Sequence, residues 1–280
     1  MTFTSADMLK GWIKNKSKET GAPANVLLQN YMMERFLERL SLSPYREHLI
    51  LKGGFLIASM IGVDRRSTMD MDTTVKGLEI SHDRLAAIVK EIISVGIEDG
   101  VDFIVQDIKN IRERSEYDDY RVSIVAKFHN IRVNMKLDFT TGDNIIPCEI
   151  EYEYKLMFEN RAISILAYNL NTILAEKIET ILSRSVTNTR ARDFYDVYVL
   201  LSINKDNISM HELYHAVCEK AKERNSLTFI LNQAKHLHDI TVSPEIAKIW
   251  AAYTESYPYA KGVELENVIS CIRWVFEGRE

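Results

Sequence analysis

Cysteine is scarce in this sequence, long apolar runs are missing, and there is no excess of positive charge. Three cysteines in 280 residues, Cys148, Cys218 and Cys271, are widely separated and form no CxxC pair. That excludes a disulfide framework and a zinc knuckle, both of which need clustered thiols. The longest apolar run, Phe55 to Ile61, is broken by Ser59 and falls far short of the ~20 residues that span a bilayer. The opening residues, Met1-Thr2-Phe3-Thr4-Ser5-Ala6-Asp7, lack the basic-then-apolar order of a secretion signal. A cytoplasmic protein without a membrane partner is the expectation. Lys and Arg number 35 against 40 Asp and Glu, a net charge of -5, so no global field draws in polyanions. A nucleic-acid partner must therefore be held by a local basic surface. The seven histidines show no HExxH or similar spacing, and His236 and His238, two apart in a helical context, are poor co-ligands for a metal. Internal repeats and low-complexity segments are absent too.

What is present is enough apolar material for a sizeable core: 46% hydrophobic residues over 280 suit one large domain or two modest ones, and two packed lobes are expected. Leu27, Tyr31, Phe36, Leu37 and Leu40 recur at helical spacing and predict a helix from about Asn25 to Leu42, closed by Pro44. His48 to Leu51 reads as a short strand, Gly53-Gly54 as a tight turn, Phe55 to Ile61 as a buried helix, and Asp70 to Val75 as the next strand. Ser81 suits the N-cap of a helix through Val95, followed by Gly96. Three strands are predicted over Val101 to Ile108, Tyr120 to Phe128 and Ile131 to Phe139, the last two joined by a tight hairpin at His129-Asn130. Ile146 to Tyr152 alternates apolar and acidic residues like a further strand. Beyond about residue 165 the period becomes helical, with Ile173, Leu174, Ile178 and Ile181 on one helix and Phe194, Val197, Tyr198 and Leu201 on the next. The division expected is an α/β domain with N-terminal helices over 1–162 and a helical domain over 163–280.

The segment richest in chemistry is Lys52-Gly53-Gly54-Phe55-Leu56 followed by Arg65-Arg66-Ser67-Thr68-Met69-Asp70-Met71-Asp72. Group transfer from a nucleoside triphosphate (NTP) needs backbone that approaches polyphosphate closely and carboxylates that hold Mg²⁺ against it. Gly53 and Gly54, following a strand, can turn backbone N–H groups toward phosphate at the start of a helix. Asp70 and Asp72, two apart on a strand, leave from the same face and can chelate hard cations. Two such carboxylates repel, and a cation is the simplest compensation. A third is expected from a neighbouring strand, as in two-metal displacement, and Asp138 is the candidate because it ends an alternating strand on its polar face. Singly, a GG pair is an ordinary turn and a D-x-D pair an ordinary solvated strand end; their order along the chain is what makes them specific.

Lys52-Gly53-Gly54 with Arg66-Ser67 and Asp70-x-Asp72 resembles the first motif of the AbiEii/AbiGii nucleotidyltransferase toxins, members of the DNA polymerase β-like superfamily. The resemblance continues in Leu174-Ala175-Glu176-Lys177-Ile178, Arg184, and Arg190-Ala191-Arg192-Asp193-Phe194-Tyr195-Asp196-Val197-Tyr198, which are similar to that family's lysine and R-x-x-D-x-Y-D-x-Y motifs. It covers most of residues 50 to 200. The fold implied is α+β: a polymerase β-like lobe with a mixed sheet, plus a C-terminal helical lobe. The activity implied is a toxin's transfer of a nucleoside monophosphate from an NTP, with Mg²⁺ or Mn²⁺, to an acceptor such as the 3′ end of tRNA. That would block translation and phage propagation in abortive infection, with a separately encoded antitoxin as partner. The implied site comprises Asp70, Asp72 and Asp138 as metal ligands, Lys177 and Asp193 as further catalytic residues, and Lys52, Gly53, Gly54, Arg66, Ser67, Lys177 and Arg184 for the nucleotide. One departure stands out: Phe55 follows the GG pair where family members usually carry Thr or Ser, so Ser67 or Thr68 would have to supply the hydroxyl.

Lys177 and Arg184, seven apart on one helix, can point at the same place. Without the family pattern Lys177 reads as a solvated helix position. Asp193 is expected to orient Lys177, although an Asp near a helix start is stabilising by ~0.3–1 kcal/mol with no catalytic duty. Asp196 is read as structural, Tyr195 and Tyr198 as core aromatics, and Arg65, Arg66, Arg190 and Arg192 as a basic rim. Two other readings stay open. One is transfer to a protein or small-molecule hydroxyl. The other is a catalytically inactive nucleotide-binding partner, for which Phe55 is the motive.

Overall fold

The computed structural model describes residues 3–111 and 119–277. The chain divides into unit 1, Met1–Asp143 with Glu149–Tyr168, and unit 2, Asn144–Cys148 with Asn169–Glu280.

Unit 1 opens with α1 (Ala6–Thr20) and α2 (Ala24–Leu42). Ser5 caps α1 by accepting from the Met8 backbone N–H at 3.2 Å, and Gly21 ends it with φ 75°, a left-handed value that costs glycine nothing. β1 (Leu49–Lys52), α3 (Gly53–Ile61), β2 (Asp70–Val75), α4 (His82–Ile93), β3 (Val101–Asn110), β4 (Tyr120–Phe128), β5 (Ile131–Thr140), β6 (Ile150–Lys155) and β7 (Ala162–Ala167) follow. The strands form one mixed sheet in the order β3-β4-β5-β2-β1-β7-β6. β2 runs parallel to β5 and β1 parallel to β7, and the other neighbours are antiparallel. Ser81 caps α4 as its position suggests. Phe128 pairs with Ile131 across the two-residue turn, where His129 takes φ 51°.

α2 is buried along most of its length, charged residues included. Arg39 grips Asp99 through two bonds of 2.6 and 2.9 Å and donates to the Val101 carbonyl at 2.8 Å, which ties α2 to the start of β3. Gln29 donates to the carbonyls of Met69 (3.0 Å) and Asn134 (2.9 Å), and Asn30 to that of Thr68 (3.1 Å). These amides pin the approach to β2 from behind the sheet.

Unit 2 contains α5 (Leu170–Arg184), α6 (Ala191–Asn204), α7 (Met210–Glu223), α8 (Leu227–Leu231), α9 (Gln233–Val242), α10 (Pro244–Ser256) and α11 (Leu265–Glu277). Ile173, Leu174, Ile178 and Ile181 of α5, Phe194, Val197 and Leu200 of α6, Leu213 and Val217 of α7, and Ile269 and Ile272 of α11 are buried and form its core.

Two expectations are corrected. The boundary after residue 162 would cut β7, which pairs with β6 from Ala162 to Ala167; the units change over between Tyr168 and Asn169. The strand predicted from Ile146 begins only at Ile150. Pro147 has no N–H for a ladder, and this stretch is held by unit 2 instead. The Ile146 N–H donates to Thr172 Oγ1 at 2.9 Å, and Asn169 Nδ2 donates to the carbonyls of Ile146 (2.9 Å) and Cys148 (2.6 Å).

Candidate active site

Pairing across four strands builds the site in unit 1. β2 lies beside β5 with Asp72 opposite Asp138 and Asp70 opposite Lys136. On the outer sides, Lys52 of β1 stands opposite Asp72, and Arg121 of β4 opposite Asp138. A single row therefore crosses the sheet as Arg121, Asp138, Asp72, Lys52, two anions flanked by two cations. Asp70 joins the same face because alternate strand residues share a side. The intervening Met71 and Leu137 are each 1% exposed and anchor the other face in the core.

Directly beside the row is the GG turn. Gly53 has φ 69°, and a Cβ on it would lie 2.1 Å from Asp72 Oδ2, so the carboxylate rests where any side chain would be. A Cβ on Gly54 would meet Arg66 Nη2 at 2.8 Å and Thr68 Oγ1 at 2.9 Å. The glycines thus make room for a carboxylate on one side and a guanidinium with a hydroxyl on the other. The N-cap residue of α3, Lys52, makes no side-chain capping bond, and a helix start of this kind presents N–H groups to an anion. Arg66 is buried and donates to the Ser67 carbonyl at 2.6 Å. Phe55 is fully buried and packs on Tyr154 with ring centroids 5.4 Å apart. The position after the glycines therefore serves the core here, and Thr68 brings a hydroxyl to Gly54.

Two residues of this neighbourhood escaped the sequence reading. Asp143 accepts from Lys52 Nζ, Thr74 Oγ1 (2.8 Å) and Thr140 Oγ1 (2.7 Å), and Thr74 also bonds the Tyr168 hydroxyl at 2.8 Å. Burial opposes ionisation of Asp143, but the charge of Lys52 and these three hydrogen bonds outweigh it and hold the carboxyl well below the usual range. Its one signal in sequence is an acid just past the end of a strand, at Gly142-Asp143. Arg121 binds Asp138 bidentately, Nε to Oδ1 and Nη2 to Oδ2, both at 2.7 Å. That bonding, together with the charges of Asp138, Asp70 and Asp72, raises the Arg121 pKa above its ordinary value. Arg121 sits in a strand with no motif of its own, so its partner was not legible.

Within unit 2, Lys177 Nζ lies 2.7 Å from Asp193 Oδ1 and 2.8 Å from Asp196 Oδ2. The Asp196 side chain is wholly buried, so it holds Lys177 as directly as Asp193 does. Arg184, in the last turn of α5, is exposed and outside this cluster. Tyr195 is core, its ring tilted against those of Tyr253 and Tyr259, whereas Tyr198 is only half-buried. Arg65 and Arg190 are exposed, and Arg192 donates to the Tyr257 hydroxyl at 3.2 Å.

The donor set on the sheet face suits a hard divalent cation, being carboxylate oxygens only. Among the described residues, however, no three His, Cys, Asp or Glu side chains are drawn together as a ready metal cage. Asp138 directs both its oxygens to Arg121 instead.

The chain matches no curated protein sequence. Its fold resembles that of a candidate nucleotidyltransferase from H. pylori, with TM-score 0.52 and 17% identity over 91% of this chain and 96% of that one. JHP933 from Helicobacter pylori aligns with TM-score 0.51 and 17% identity, covering 92% and 94%. The model of the family described as nucleotidyl transferase AbiEii toxin, type IV toxin–antitoxin system, matches residues 35–269. That match spans the carboxylate row, the GG turn and the Lys177 cluster alike, and the chain belongs to the AbiEii nucleotidyltransferase toxin family.

Proposed function

We propose that this toxin transfers a nucleoside monophosphate from an NTP to the 3′ end of an RNA, tRNA being the favoured acceptor, and so halts translation during abortive infection. The observation that carries the reading is the row of Asp72 and Asp138, with Asp70 on the same face, beside the glycine helix start at Gly53-Gly54. The acceptor 3′ oxygen bonds to the α-phosphorus, the bond from that phosphorus to the β-bridging oxygen breaks, and pyrophosphate leaves. The first N–H groups of α3 bind phosphate oxygens, and Arg66, packed on Gly54, adds positive charge there. The hydroxyl proton has the carboxylates of the same face as acceptors. A divalent cation on Asp70 and Asp72, with Asp138 as third ligand, would neutralise the triphosphate and polarise the acceptor; magnesium is the proposed ion, with manganese as its substitute. In unit 2, Lys177 is held by Asp193 and Asp196 and is the proposed phosphate-binding cation.

An RNA acceptor is supported by a local basic surface on an otherwise acidic protein. Lys10, Lys14 and Lys18, four residues apart and exposed along α1, border a groove of ≈ 360 Å³ between α1 and α2, with Ile13 and Leu28 also in its lining. Phe55 is the departure that favours an inactive binder; its ring is core, and the hydroxyl that lies beside Gly54 is that of Thr68. The antitoxin implied by the family is the proposed protein partner.

The test is incubation of the purified chain with each α-labelled NTP, Mg²⁺ or Mn²⁺, and separate RNA and protein fractions. Label is expected in RNA, and Asp70→Ala/Asp72→Ala should lower it by about 100-fold or more, as loss of electrostatic stabilisation does elsewhere. Undiminished transfer by the double variant rules this site out. Label confined to protein would reassign the acceptor, and tight nucleotide binding without turnover would favour the inactive reading.

A further inference from the structure

Asp138 has a partner before any metal arrives. We propose that Arg121 is a built-in counter-ion of the carboxylate face, which must release Asp138 before a divalent cation can take that carboxylate, so that metal affinity is set by competition between guanidinium and ion. This rests on the metal-holding role proposed above for Asp70, Asp72 and Asp138.

Three observations lead to it. First, carboxylates directly opposite each other on neighbouring strands repel, and Asp72 faces Asp138 in that way; some positive charge must compensate. Second, the two cations that flank the row differ in how they are held. Lys52 is side-chain buried, bonded to Asp143 and placed over the Tyr168 ring at 5.5 Å. Arg121 keeps 38% of its side chain exposed while its fork covers both Asp138 oxygens. The cation that can move is Arg121. Third, the acidic groups of the face are not gathered into a ready cage among the described residues, as expected when one carboxylate is turned toward a guanidinium. Lys136, exposed and opposite Asp70, and Lys109, opposite Arg121 and paired with Asp107 at 2.9 Å, are further cations on this face.

A bidentate guanidinium–carboxylate pair is among the stronger polar contacts, so displacing it weakens apparent metal binding. The guanidinium is also a positive charge that repels an incoming ion at short range. Removing the fork should therefore tighten divalent binding even though it removes a native contact.

Mn²⁺ is titrated into the full chain without nucleotide, at fixed ionic strength, with free Mn²⁺ read by electron paramagnetic resonance and folding checked by circular dichroism. Arg121→Gln is expected to bind Mn²⁺ about tenfold or more tighter than wild type. Arg121→Lys, which keeps the charge but loses the fork, should fall between the two and carries the test alone if the glutamine variant does not fold. Adding Asp72→Asn to either variant should abolish the gain. Unchanged or weaker Mn²⁺ binding in the Arg121 variants, while Asp70→Asn and Asp72→Asn still abolish it in wild type, overturns the counter-ion role and leaves the metal site standing. Mn²⁺ binding that ignores Asp70→Asn and Asp72→Asn, or is absent from every chain, removes the metal site itself and this inference with it.

Discussion

A single methyl group is the sharpest probe of the site. Gly53→Ala would place a carbon 2.1 Å from Asp72 Oδ2 and force alanine to φ 69°, a left-handed conformation that costs about 1–2 kcal/mol for a residue with a Cβ. Label transfer should fall to background, with a modest drop in melting temperature, because the Asp72 carboxylate has to move. Gly11→Ala is the matched control. It lies inside α1 with nothing within 4 Å of the added carbon, so it should gain about 0.5–1 kcal/mol of stability and keep full transfer. Equal loss of transfer in both variants would show that Gly53 has no special place. At this scale the sequence was readable where strand alternation fixed a side: Asp70, Asp72 and Asp138 share a face because each leaves its strand on the same pleat. Arg121 and Asp143 were not readable, since their importance lies in which residue stands across the sheet or just past a strand end, and strand order is not written in local pattern. Asp196, read as structural, has a partner that was unreadable for a related reason. Being wholly buried next to Lys177 is a fact of helix packing, not of spacing.

Elements show the same division between local and non-local information. β2 and β4 run over the predicted residues, and α2 starts one residue before its predicted first turn, because apolar periodicity and flanking proline are local. β7 was missed because Ala162 to Ala167 sits where the pattern merges with the helix that follows. α2 also hides an acid that periodicity treats as solvent-facing. Glu34 is buried, accepts from the Met157 N–H at 3.1 Å and lies 3.4 Å from the Tyr154 hydroxyl. Burial, only partly offset by the Arg35 charge and these bonds, pushes its pKa from 4.5 up to about 8. The folded state then holds a proton that the unfolded chain releases near 4.5, so this group's contribution is full below that pH and fades as pH rises through about 8. Urea denaturation of wild type and Glu34→Gln at pH 5, 7 and 9 should show the variant gaining on wild type as pH rises, by more than about 1 kcal/mol across the range. A constant gap between the two would mean that Glu34 is already ionised in the folded protein.

For the whole molecule the question is how a chain of net charge -5 holds a polyanion. A uniform distribution of that charge would repel RNA at every approach, and lowering the salt would make matters worse. A local row reverses this, because screening at 0.15 M ionic strength confines each charge to about 8 Å. An RNA strand lying along α1 then meets Lys10, Lys14 and Lys18 and little of the acidic remainder. Asp7, 3.9 Å from Lys10 and almost fully exposed, is too loosely paired to cancel the row. Each phosphate neutralised on a single strand contributes about 0.7 to the slope of log affinity against log salt. Replacing the three lysines by glutamine should therefore weaken RNA binding in proportion and flatten that slope by about 2, measured by fluorescence anisotropy of a labelled acceptor between 50 and 300 mM salt. The Mn²⁺ affinity of the same triple variant should not move, since α1 contributes no residue to the carboxylate face. Parallel salt slopes for wild type and variant would mean that α1 is an ordinary solvated face and that the acceptor is held by other cations.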